Sequence, residues 1–124
     1  MQTPVQLTFR RMTHSDALAA HLRQRAENLE HLFDRIVSCH IVVETSGNDH
    51  HHGNRYHCSI HVGLPGHEVL VTHGPPTDHD HLNVYATADR AFDDVEHQVA
   101  GWVKRQREHR HDRPVDPVSS KPSA

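Results

Sequence analysis

Between residues 5 and 9 apolar Val5, Leu7 and Phe9 alternate with polar Gln6 and Thr8, the period of a half-buried strand. A polar stretch over 10–15 breaks it. Ser15 or Asp16 then stands where a side-chain oxygen can accept a free amide of a first helical turn. From there Leu18, Leu22, Ala26, Leu29 and Phe33 recur at spacings of three and four, one face of a helix. The opposite face carries His21, Arg23, Arg25, Asn28 and His31. A β-rich run follows over 39–44, and 46–54 holds Gly47, Asn48, Gly53 and Asn54, a turn-forming composition. Tyr56, Cys58, Ile60 and Val62 alternate with His57, Ser59 and His61, giving a strand with one apolar and one His-bearing face. Leu64-Pro65-Gly66-His67 makes a tight turn into another strand over 68–72. These three strands read as an antiparallel meander. After Gly74-Pro75-Pro76 and a polar loop, Ala88, Phe92, Val95, Val99 and Trp102 mark a second, longer helix reaching about Arg110.

The order predicts an α+β fold: a single β-α-β-β-β-α domain over 1–111, with two helices on one face of a four-stranded sheet. Residues 112–124, with three prolines and three serines, read as a disordered tail. At 124 residues the chain suits one domain. It has no apolar run long enough to span a membrane and no secretory signal pattern at its start, so the cytoplasm is the expected location. The two cysteines cannot make a disulfide framework. If Thr45 pairs with Tyr56, Cys58 faces Val43, four residues from Cys39. At roughly 3.4 Å per residue that is about 13 Å, too far for a disulfide. Both cysteines are expected in the core.

Charge complicates this outline. The formal net charge is −3 with histidine neutral, yet the chain has 16 histidines, so protonation would reverse its sign. All but two of the 13 basic residues are arginine, the better fork for phosphate. Along the second helix acid is concentrated early (Asp89, Asp93, Asp94, Glu96) and base late (Lys104, Arg105, Arg107). A helix dipole favours that order, so dipole compensation is one explanation and phosphate binding by the basic end another.

The segment 29–36 (Leu29-Glu30-His31-Leu32-Phe33-Asp34-Arg35-Ile36) resembles part of the ribosome hibernation-promoting factors and ribosome-associated translation inhibitors, also called sigma-54 modulation or S30EA-like proteins. The stretch 64–71 resembles the same family, as does 84–89 continuing through Phe92 and Gln98. In order and spacing the resemblance covers about residues 5–110. The His-rich stretch 50–57 is similar to a proteobacterial branch of that family. The resemblance implies a fold like that of double-stranded RNA-binding domains. It implies no enzymatic activity and no cofactor. It further implies binding to the 30S subunit and its 16S rRNA, which holds ribosomes idle under stress or in stationary phase. The positions it marks for rRNA are Arg23, Arg25, Arg35, Arg90, Lys104, Arg105 and Arg107; Arg55 is added on charge alone. The acidic stretch and Gly101 depart from the family's basic second helix, which predicts weaker binding or a shifted footprint at neutral pH.

The histidines suggest two further chemistries. His50, His51, His52, His79 and His81 are weak candidate metal ligands, since adjacent strand residues point opposite ways and no HExxH or CxxC spacing exists. Adventitious Zn or Ni binding is the expectation there. The alternative function is a His-rich metal-binding or metal-responsive protein on the same fold. The histidines could also act as conditional cations that strengthen rRNA binding on acidification. Trp102 and Phe92 are expected in the core, and Tyr85 and Asp89 in structural roles.

Overall fold

A computed structural model describes residues 3–45, 56–73 and 84–112. Its elements are β1 (Gln6–Arg10), α1 (Asp16–Leu32), β2 (Ser38–Thr45), β3 (Tyr56–Leu64), β4 (His67–His73) and α2 (Val84–Asp112). The strands form one sheet in the order β1-β2-β3-β4. β1 runs parallel to β2, whereas β2, β3 and β4 are antiparallel neighbours. A parallel pair cannot be joined by a tight turn, and α1 supplies the crossover.

Each local prediction has a visible cause. Ser15 caps α1, its hydroxyl accepting the Leu18 amide at 3.2 Å. In β2, Cys39, Ile41, Val43 and Thr45 are buried while Ser38, His40, Val42 and Glu44 are half-buried, so one sheet face is covered and the other open. The buried faces of both helices and of β2, β3 and β4 make one core, with Leu22, Ile60 and Phe92 fully enclosed. Thr45, buried at the end of β2, donates its hydroxyl to the Arg11 carbonyl at 2.7 Å. Arg11 itself has a φ of 58°, the left-handed region that L side chains seldom adopt. The hydrogen bond thus anchors a turn that the backbone alone disfavours. Between β3 and β4, Pro65-Gly66 makes a two-residue turn, and Gly66 supplies the positive φ of 69°.

The strand register agrees with the expectation: Thr45 pairs with Tyr56, Val43 with Cys58, and Cys39 with Val62. Both cysteines are free and buried. Burial pushes each thiol up to about 12, with the neighbouring Cys39 adding to the shift of Cys58. The unfolded thiol titrates near about 8.5. The stability gained by keeping both thiols neutral is therefore complete below that pH and is lost as pH rises towards 12. Native protein at neutral pH should leave a thiol-specific chromogenic reagent unreacted for hours, and denaturant should release both thiols at once. Rapid reaction of the native protein would contradict the burial.

Gly101 lies inside α2, and a Cβ there would meet only the end of the Arg105 side chain, at 3.3 Å. Arg105 is exposed and free to swing aside. Gly101→Ala should therefore stabilise the fold by about 0.5–1 kcal/mol through reduced unfolded-state entropy, read as a raised midpoint in urea.

The histidine runs at 50–52 and 79–81, Arg55, and the tail from 113 onward lie outside the described residues. Helix α2 continues through Asp112, two residues past the expected end. No helix among the described residues is long and apolar enough to cross a membrane.

Candidate nucleic-acid interface

Contacts between the helices set their relative direction. Near the start of α2, His21 meets Tyr85 edge-on at 5.2 Å and Asp89 at 2.8 Å. One turn on, Arg25 reaches Asp89, Asp93 and Glu96. Beyond the end of α1, Asp34 and Arg35 line a cleft with Trp102, Val103, Gln106 and Arg107. Positions advance together along both segments, so α1 and α2 run side by side in the same direction.

Arg25 is the centre of the first half of this pair. Its guanidinium donates to Asp89 at 2.9 Å, Asp93 at 3.0 Å and Glu96 at 3.3 Å, and lies 5.2 Å from the Phe92 ring centroid. Burial works against the Arg25 charge, but the hydrogen bonds to Asp93 and Asp89 and the field of Glu96 outweigh it and raise its pKa. Arg25 was expected among the phosphate contacts. In the fold its guanidinium is engaged by three carboxylates of α2.

The same geometry revises the dipole explanation of the acidic run. The first turn of α2 contains no acidic residue, and a dipole interaction falls off within that turn. The acids lie farther along and answer to particular partners instead: Asp89, Asp93 and Glu96 to Arg25, and Asp94 to His73 of β4.

Asp89, Asp93, Glu96, Ala100, Lys104 and Arg107 recur every three or four residues and form one stripe of α2. Its acidic half faces Arg25, and its basic half extends beside the cleft where Arg35 sits. Arg35 lies over the Trp102 ring, 5.6 Å from its centroid, and Trp102 is only 5% exposed. Arg35, Lys104 and Arg107 are thus brought together at the C-terminal end of the helix pair. Arg105 is exposed on the other flank of α2, in a shallow depression with His67, His97 and Gln98 beside β4. Arg23 is exposed on α1 more than half a turn from Arg25, on the side turned away from α2. Arg90 is exposed in the first half of α2. Sequence reasoning passed over Asp34 and Gln106. Their only signal was that Asp34 precedes Arg35 and Gln106 precedes Arg107.

The described histidines are distributed rather than clustered. Four pair with carboxylates: His14 with Asp16, His21 with Asp89, His61 with Glu68, and His73 with Asp94. His40 bonds the Thr8 hydroxyl at 3.0 Å, and His67 stacks on Trp102 with centroids 6.1 Å apart. Among the described residues no group of three His, Cys, Asp or Glu is arranged to hold a metal ion. The weak metal candidates at 50–52, 79 and 81 fall outside those residues.

Comparison with known proteins agrees with this architecture. A ribosomal subunit interface protein from Coxiella burnetii superposes with a TM-score of 0.66 at 18% identity, covering 81% of this chain and 97% of its own; this likeness establishes the fold. The Thermus thermophilus Protein Y N-terminal domain gives 0.60 at 26% identity, covering 78% of this chain and 94% of its own. No curated protein sequence matches the chain significantly. The family model for sigma 54 modulation protein / S30EA ribosomal protein matches residues 5–107, nearly all of the folded part, and the chain belongs to that ribosome-associated family.

Proposed function

We propose that this protein binds the 30S ribosomal subunit through 16S rRNA, without catalysis, and so limits translation and keeps idle ribosomes intact under stress. The observation that carries this reading is the joint presentation of Arg35, Lys104 and Arg107 at one end of two parallel helices. Three cations within one patch suit a run of phosphates, and arginine and lysine on a rigid helical frame position RNA through its backbone rather than its sequence. Arg105 would extend the patch on the other flank of α2, Arg23 and Arg90 are exposed cations away from it, and Arg55 is included on charge alone. Arg25 is left out because its charge is already balanced. Family membership and the likeness to a Protein Y domain point the same way.

The footprint follows from the charge distribution. In the N-terminal half of the helix pair carboxylates outnumber Arg25, so phosphates are repelled there; the C-terminal half attracts them. Binding should accordingly be weaker than that of a relative basic along its whole second helix, and steeply salt-dependent. Co-sedimentation with purified 30S and 70S particles over a salt series tests the reading. The expected result is binding that falls linearly on logarithmic axes as salt rises. Absence of the protein from the pellet at low salt would overturn it, and equal competition by bulk free RNA would reduce it to general RNA binding.

Acidification should tighten the same interaction. His67 and His97 lie with Arg105 on one flank of α2, and histidine is the residue type whose charge changes in the neutral pH range. A 30S titration at constant salt between about pH 6 and 8 reads the effect, and affinity that fails to rise at the acid end would refute it.

A further inference from the structure

The cleft at the C-terminal end of the helix pair has features that phosphate binding alone does not require. It encloses about 280 Å³ and is lined by Asp34, Arg35, Trp102, Val103, Gln106 and Arg107. That is the small end of the range for ligand sites, room for one small planar group with its substituents rather than for a duplex. Neither Arg35 nor Arg107 has an ion-pair partner among the described residues, and Asp34 has none either although it lies beside both. A carboxylate beside two open guanidinium groups would be expected to pair with one of them. Its separate placement leaves an acceptor and two cations all facing a common space.

Each lining group fits one part of a nucleotide. Trp102 holds the Arg35 guanidinium over its ring, so that cation is pre-positioned at low entropic cost with its N–H edge left to meet a phosphate. Arg107 offers a second fork for phosphate. The two neighbouring oxygens of Asp34 accept from two adjacent donors. Among the four RNA bases only guanine presents that pair, N1–H and the N2 amino group, on its Watson–Crick edge. Gln106 adds an amide able to donate to the guanine O6.

We propose that the cleft binds one unpaired guanine nucleotide of RNA, Asp34 reading the base while Arg35 and Arg107 hold its phosphate. The proposal deepens the ribosome-binding reading and rests on it for the RNA source of the nucleotide. It makes the end of the helix pair a reader of one extruded base as well as a phosphate contact.

Trp102 is the chain's single tryptophan and lines the cleft, so its fluorescence reports occupancy without labelling. The free protein is titrated with GMP, AMP, CMP, UMP and inorganic phosphate at constant ionic strength, and with the oligoribonucleotides UUGUU and UUAUU. A saturable change is expected with GMP and UUGUU, each about tenfold tighter than its A-containing counterpart. Asp34→Asn, an exposed position, should remove that preference and leave the weak response common to all four nucleotides. No response, equal responses to all four bases, or phosphate as effective as GMP would overturn the proposal. UUGUU binding more tightly than GMP supports the RNA source, and the reverse order overturns it. Co-sedimentation with 30S separates the two readings. Protein that pellets with 30S but ignores GMP and UUGUU defeats the guanine site alone. Protein that prefers UUGUU but never pellets defeats the ribosomal reading and leaves the guanine site standing.

Discussion

Replacing Arg35, Lys104 and Arg107 together by alanine should weaken binding to the 30S subunit about a hundredfold at moderate salt, on the order of 1 kcal/mol for each charged contact removed. The slope of log affinity against log salt should become shallower by about two to three, because each phosphate contact contributes about 0.7–0.9 to it. The second number separates a direct role from a structural one: a mutant that binds weakly because it is misfolded would not show an intact melting transition with a reduced slope. Lys104 and Arg107 are exposed, so their loss costs little stability. Arg35→Ala gives up its contact with Trp102, worth about 0.5–1 kcal/mol. Arg23→Ala, on the flank of α1 away from α2, should cause a clearly smaller loss. An unchanged salt slope in the triple variant would remove this patch from the interface.

Arg25→Met should lower stability by about 2 kcal/mol while barely changing the number of ribosomal phosphate contacts. The side chain is 18% exposed, between a fully buried pair, whose disruption costs about 3–5 kcal/mol, and a surface pair worth less than about 1 kcal/mol. Methionine keeps an unbranched apolar side chain at this position but removes the guanidinium over Phe92 and leaves Asp89, Asp93 and Glu96 without it. For a domain of this size the thermal midpoint should fall by about 8 °C. Because most of the loss is like-charge repulsion, added salt should recover part of it, the reverse of salt's effect on RNA binding. Asp93→Asn in the Arg25→Met background should also recover stability, since Asp93 is the most exposed of the three acids and loses least by being neutral. If Arg25→Met melts like the parent, the network is a surface arrangement without energetic weight.

These two variants separate what charge does in each half of the helix pair. In the first half arginine holds two helices together; in the second it is presented to a partner. Residue type alone does not distinguish the roles. Arg25 and Arg35 sit near each other in sequence, and both resemble phosphate contacts when read along the chain. Their difference lies in what α2 brings opposite each of them: Asp89, Asp93 and Glu96 in one case, Trp102 and Gln106 in the other.

The histidines illustrate the same point. Their number suggested metal chemistry or a collective response to pH. In the described structure His21, His61 and His73 each reach a carboxylate on another element or strand and so serve as ties within the fold. His67 and His97 differ, lying beside the exposed Arg105.

The element order, a cap at Ser15 or Asp16 and the Pro65-Gly66 turn were legible in the sequence, whereas the pairing of Thr45 with Tyr56 entered only as a condition. Each is governed by neighbours a few residues away: the period of a strand or helix, one side-chain oxygen, one residue able to take a positive φ. The covered sheet face and the enclosure of Phe92 and Trp102 followed from those periods. The partners of charged side chains did not. Arg25 meets acids 64 to 71 residues away, and Asp34 shares a cleft with Arg107 across the whole meander. Local spacing says which face of a helix a charge occupies, whereas which element packs against that face depends on how the helices align over the sheet. For this protein that alignment decides which arginines stabilise the fold and which are left to bind phosphate.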